Sequence, residues 1–205
     1  MVEFFVSNRR NRCEPAIARF AWLGALVGAS LNIFCGLCIA QSMQAPSRET
    51  QMHLQRARDA LKGNAPDTAI NEYRAVLEME PKNIEANANL GVMAFFQGDC
   101  AKASGYFSAV LAVQPSIPKA QALLGICEKR LGAPSAQARL EKSFSEISDP
   151  KLRIQVGTEL AGLYYQKGDL QRTASLIQSL VELAPDDVDI LYFGQLVYTE
   201  MADEM

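Results

Sequence analysis

Histidine occurs once in this sequence, at position 53. A zinc site needs about four His, Cys or carboxylate ligands in close register, and no cysteine cluster lies near His53. His53 therefore reads as an ordinary surface or groove residue. Walker-type phosphate loops are missing, and so is any Gly-x-Ser-x-Gly turn. An excess of positive charge is missing too: the formal net charge is -3. A nucleic-acid-binding face needs a basic excess, so nucleic acid is not expected as a partner. β-Branched residues never alternate over a strand-length run, which argues against a sheet. With no catalytic constellation in view, the chain reads as non-enzymatic, with no cofactor and no metal.

Charge is absent altogether between Arg19 and Arg48. Within that gap Phe20–Ala40, FAWLGALVGASLNIFCGLCIA, is almost wholly apolar, and NRRNRCEPAIAR before it is basic. A basic region followed by an apolar run is the layout of a secretory signal. Cys38 and Ala40 supply small residues for a cut before Gln41. The run also exceeds a usual signal core of ~7–15 residues and reaches the ~20 needed to span a bilayer. Residues 1–40 thus stand as a signal peptide or a transmembrane anchor. Either way the arginines precede the run, which sends the remainder across the cytoplasmic membrane to the periplasmic or extracytoplasmic side. Membrane contact is expected only through residues 20–40, if they are kept. Cys35 and Cys38 have Cys-x-x-Cys spacing, but a redox motif needs a folded, exposed helix start, and these lie inside the apolar run. Residues 41–49 read as a polar linker.

From residue 50 onward nearly everything is helix-periodic, and one set of parts recurs. FFQGDCAKASGYFSAVLAVQP runs from Phe95 to Pro115, and YYQKGDLQRTASLIQSLVELAP from Tyr164 to Pro185. Each has Gly-Asp, then an apolar helix, then proline. LKGNAPDTAINEYRAVLEMEP, Leu61 to Pro81, is a weaker copy. Pro81 and Pro115 lie 34 positions apart. A period of that size indicates a helical array rather than a single-core domain. The expected helices are Gln51–Lys62, Pro66–Glu80, Ile84–Gln97, Cys100–Val113, Lys119–Leu131, about Ser135–Ile147, Leu152–Lys167, Leu170–Leu183, and one starting near Val188. Leu90-Gly91, Leu124-Gly125 and Leu160-Ala161 place a small residue in first helices. Ala69 with Tyr73 and Ala103 with Phe107 place a small and a large residue in second helices. The small residue makes room and the large one fills it. Asp186, Asp187 and Asp189 lack the spaced Glu of a calcium loop and read as caps for the last helix.

This spacing resembles the tetratricopeptide repeat, over about residues 50–187. Ile84 to Ile117 carries it best, with Leu90, Gly91, Gly98, Asp99, Ala103, Phe107 and Pro115. The third unit departs in its second half, where the small and large positions drift. The resemblance implies an all-α, right-handed superhelical solenoid of antiparallel helix pairs. Its repeats would be about 50–83, 84–117, 118–153 and 154–187, with a final single helix at 188–205.

The resemblance also implies a protein or peptide partner, of unknown identity, in a concave groove lined by the first helices. Projected groove candidates are Arg58, Asn89, Phe95, Phe96, Lys119, Ile126, Lys129, Arg130 and Tyr165, joined by Leu54, Val92, Thr158 and Glu159. Asn89 and Lys119 match two positions of a carboxylate-gripping clamp known in one subgroup, while Leu54, Arg58 and Leu123 depart from the other three. A mixed groove, apolar at Phe95 and Phe96 and basic at Arg58, Lys119, Lys129 and Arg130, suits an extended peptide with apolar anchors and some acidic residues. Cys100 and Cys127 fall on helices expected to pack together. In an oxidising compartment two such cysteines can pair in a disulfide, and the alternative reading is two small buried residues. The function read from all this is an exported or membrane-tethered adaptor or scaffold. The alternative is an interaction arm of a larger protein whose activity lies beyond Met205.

Overall fold

The computed structural model describes residues 47–204, so the readings on residues 1–40, Cys35 and Cys38 among them, lie outside the described residues. Its helices are α1 (Arg48–Lys62), α2 (Pro66–Met79), α3 (Ile84–Phe96), α4 (Cys100–Val113), α5 (Pro118–Arg130), α6 (Ala136–Glu146), α7 (Pro150–Gln166), α8 (Leu170–Leu183) and α9 (Val188–Asp203). No strand occurs among the described residues. None of these helices is long and apolar enough to cross a membrane.

The pairs are α1 with α2, α3 with α4, α5 with α6, and α7 with α8. Each second helix also packs on the next first helix, ending with α8 on α9. First helices touch one another, α3 with α5 and α5 with α7, and so form one layer of the array. An all-α helical-repeat solenoid was the expectation, and this is its architecture.

Local sequence explains the turns. The α3–α4 turn is closed by Asp99 N–H to Ala94 O at 2.9 Å and Gly98 N–H to Phe95 O at 3.0 Å. These two bonds form the Schellman stop, which requires a left-handed residue just past the helix end. Gly98 supplies it with φ 79°. The α1–α2 turn has the same two bonds, yet there Asn64, not Gly63, takes the positive φ of 54°. Asn tolerates that conformation better than most residues with a side chain. Asp99 then caps α4, its carboxylate accepting Lys102 N–H at 3.0 Å, and Asp169 caps α8 through Arg172 N–H at 3.0 Å. Each cap satisfies a helix-terminal donor that has no partner within the helix.

Two helices start two or more residues earlier than the sequence reading placed them. α1 starts at Arg48, inside the expected linker, and Thr50 is already fully buried. α7 starts at Pro150, because Asp149 caps it through Lys151 N–H at 3.1 Å and proline suits a first helical position. Asp187 caps α9, accepting from Asp189 N–H and Ile190 N–H.

Candidate functional site

The core decides which first-helix residues can reach a ligand. Ile126 is wholly buried, because α5 is packed by α3, α4, α6 and α7. Phe95 retains 5% of its surface. Leu54 is buried too. These three were expected to line the groove, and burial removes them as contact surface. Phe96 is the opposite case, 72% exposed at the end of α3. Its ring meets Phe95 edge to face, with centroids 5.6 Å apart and planes at 82°. Arg130 reaches across from α5 and stands 5.1 Å over the Phe95 ring. Phe95 is thus a wedge between two repeats, and Phe96 lies mostly in water beside it.

The basic residues are engaged by acids of neighbouring repeats. Arg58 of α1 donates to both carboxylate oxygens of Glu85 in α3, one bond measuring 2.6 Å. That hydrogen bond raises the Arg58 guanidinium above its ordinary range, though burial works against it. Lys129 of α5 donates to Glu159 of α7 at 2.5 Å, and Arg130 contacts the other oxygen of Glu159 at 3.5 Å. Gly162 lets the Lys129 ammonium lie over α7: a β-carbon there would stand 3.2 Å from Lys129 Nζ. Lys119 is half-buried; burial lowers its ammonium, and the Asp149 carboxylate opposes that effect. A face with Arg58, Lys129 and Arg130 in the sequence is therefore largely neutralised in space.

Other candidates are similarly occupied. Asn89 donates its amide to Glu85 O in its own helix at 2.9 Å. Thr158 donates to Ile154 O at 2.9 Å. Tyr165 of α7 packs edge to face on Phe193 of α9 at 5.5 Å. Its phenol is raised by hydrogen bonding to Glu200, also of α9. His53 donates from Nδ1 to Glu72 at 2.5 Å, tying α1 to α2. Among the described residues no group of three or more His, Cys, Asp or Glu is poised to hold a metal ion. Cys100 and Cys127 are both buried and stand in the structure as free thiols in contact; burial first, then the hydrogen bond to Cys100, raises the Cys127 thiol.

Sequence reading missed Glu85 and Gly162. A weak signal existed for the acids: Glu85 follows Arg58 by 27 positions and Glu159 follows Lys129 by 30, close to one repeat.

Residues 54–95 match the tetratricopeptide repeat family model. MamA from Desulfovibrio magneticus RS-1, residues 41 to the end, superposes with a TM-score of 0.66 at 17% identity, covering 78% of this chain and 89% of that one. The fold is a tetratricopeptide solenoid. YrrB, a TPR protein with an unusual peptide-binding site, aligns with this solenoid at a TM-score of 0.62 and 20% identity, covering 77% of this chain and 86% of that one. A further MamA crystal structure gives 0.65 at 16% identity, with 75% and 83% covered. No curated protein matches the solenoid in sequence.

Proposed function

We propose that the chain is a protein-binding module that grips an extended partner segment along its first-helix layer, with Phe96 as the anchor. The exposure of Phe96 beside a wedge of packed residues carries this reading. Binding hot spots are enriched in large aromatic side chains that a partner covers and desolvates, a role Phe96 is free to take. Peptide binding by the similarly folded YrrB lends support. The paired cations argue for a partner held chiefly by an apolar residue. Arg58, Lys129 and Arg130 would have to release Glu85 or Glu159 before meeting an acidic side chain. The proposal extends to location: residues 1–40 act as a signal or anchor, so the module works on the far side of the cytoplasmic membrane.

Cross-linked capture from source cells, read by mass spectrometry, tests both halves. Wild type should enrich a defined partner, and Phe96→Ala should lose it while its melting curve is unchanged. Equal capture by the variant refutes the anchor. The bait's own N-terminus reports processing: a start near Gln41, or a retained Phe20–Ala40 in the membrane fraction, supports export. A full-length soluble bait rejects it.

A further inference from the structure

α9 carries more apolar surface than its packing uses. It buries Ile190, Gly194 and Val197 against the preceding helices. On the opposite side Val188 is 75% exposed and Tyr192 68%, and Leu191, Leu196 and Tyr198 are exposed as well. Val188, Leu191, Tyr192 and Tyr198 share one face at 3.6 residues per turn, with Gln195 and Thr199 between them and Leu196 at the edge, so the apolar side chains form a surface rather than scattered points. A helix with large apolar side chains on two opposite sides is suited to being covered from both. α3 has the same character, and α2, α4 and α5 all pack on it. Among the described residues α9 is packed by α8 and touched by Tyr165 of α7, and the side bearing Val188 and Tyr192 stays exposed.

Charge indicates what fits there. From Thr173 to Met205 the charged residues are Glu182, Asp186, Asp187, Asp189, Glu200, Asp203 and Glu204, with no Lys, Arg or His. The apolar face is therefore framed by acids at both ends of α9. A second copy presenting the same face would set acids against acids, which opposes a two-fold pairing. We propose that the open face of α9 docks a basic amphipathic helix from a partner protein. That helix lies where a second helix of a repeat would pack, with its apolar stripe on Leu191 and Tyr198 and its Lys or Arg flanks on the acids. This site is independent of the Phe96 anchor, since it lies on α9 rather than α3 and requires another ligand chemistry.

The test uses the full chain and two labelled peptides of about 18 residues, five helical turns. One has leucines at i, i+3, i+4 and i+7 with lysine elsewhere; the other replaces lysine by glutamate. Fluorescence anisotropy should show the Leu/Lys peptide binding, more weakly in high salt, and the Leu/Glu peptide failing. Leu191→Glu with Tyr198→Glu should weaken binding by roughly tenfold or more. Asp189→Lys with Asp203→Lys should weaken the Leu/Lys peptide and admit the Leu/Glu one. Phe96→Ala should leave both results unchanged. All four positions on α9 are exposed, and circular dichroism checks that each variant folds. Equal binding of both peptides, or binding undiminished by the α9 variants, overturns the proposal. So does a concentration-dependent dimer that Leu191→Glu dissolves, since the occupant is then a second copy. Binding that appears only after Arg9, Arg10 and Arg12 are changed to Gln also overturns it, by placing the chain's own N-terminal segment on α9.

Discussion

Gly91 of α3 and Phe107 of α4 share one space: a β-carbon on Gly91 would stand 2.8 Å from Phe107 Cε1. Phe107 is wholly buried, so its ring has no solvent side to which it can yield. The same device recurs at Gly125 against Leu140, at 2.9 Å. These two helix pairs approach as closely as they do because one partner has no side chain at the crossing.

Gly91→Ala should therefore destabilise the array, although alanine is the better helix former by roughly 1 kcal/mol. Overpacking a rigid ring costs about 1–3 kcal/mol, which exceeds that gain. Phe107→Leu opens space and costs about 1–2 kcal/mol alone. The double variant should be more stable than the sum of the two losses, with a coupling of about 0.5 kcal/mol or more. Urea denaturation of the four proteins measures it, and strict additivity would show that the two residues do not constrain each other.

Much of this was legible because turns and crossings are local. Asp99, Gly98 and Gly91 act within their own helix or the next, so their spacing records their role. Repeat three shows where locality fails. Its small and large positions were expected to drift, and Ala136 and Leu140 stand one residue nearer the turn glycine than Ala103 and Phe107 do; both are still buried, and Leu140 fills the Gly125 crossing. The large residue is aliphatic rather than aromatic, and only packing identifies it. The candidate site was harder still. Arg58, Lys129 and Arg130 read as a basic face because Glu85 and Glu159 lie nearly a repeat away in sequence. Which cation meets which acid depends on how repeats stack, and no spacing rule records that.

Stability should fall on the alkaline side through tyrosine. Burial, then the Glu85 carboxylate, pushes the Tyr73 phenol from 10.0 up to about 12, with Arg58 opposing. Tyr164 is also raised to about 12, by burial and then by its hydrogen bond to Glu141. A folded-state pKa above the unfolded one means the folded state holds its proton longer. The contribution is complete below pH 10 and disappears as pH rises through about 12. Melting temperatures followed by circular dichroism should drop across that window. Tyr73→Phe should make the drop shallower, and an unchanged slope would assign it to other groups.

Cys100 and Cys127 should resist alkylation in the folded chain. The thiolate is the reacting form, and burial both hides the Cys127 sulfur and holds it protonated. Peptide mapping after iodoacetamide at pH 8 should find neither site modified natively and both modified in denaturant. A linked Cys100–Cys127 peptide pair in the denatured sample would instead show that the two thiols have been oxidised together.

Glu159 separates the structural use of the first-helix face from its use in binding. Its carboxylate holds two cations from the preceding repeat, and Lys129 and Glu159 are each only about a fifth exposed, at 19% and 21%. Glu159→Gln should cost about 1 kcal/mol, the upper range for a pair that retains some water. It also leaves Lys129 and Arg130 without their acid and removes the one negative charge that offsets these two cations. If Phe96 is the anchor, capture of the natural partner should persist in this variant and be lost in Phe96→Ala. A partner rich in acidic residues would instead bind Glu159→Gln more tightly, because the competing carboxylate is gone. Parallel capture by wild type and the two variants distinguishes an apolar-anchored segment from an acidic one. Loss of capture in Glu159→Gln alone would put the Glu159 carboxylate itself in contact with the ligand.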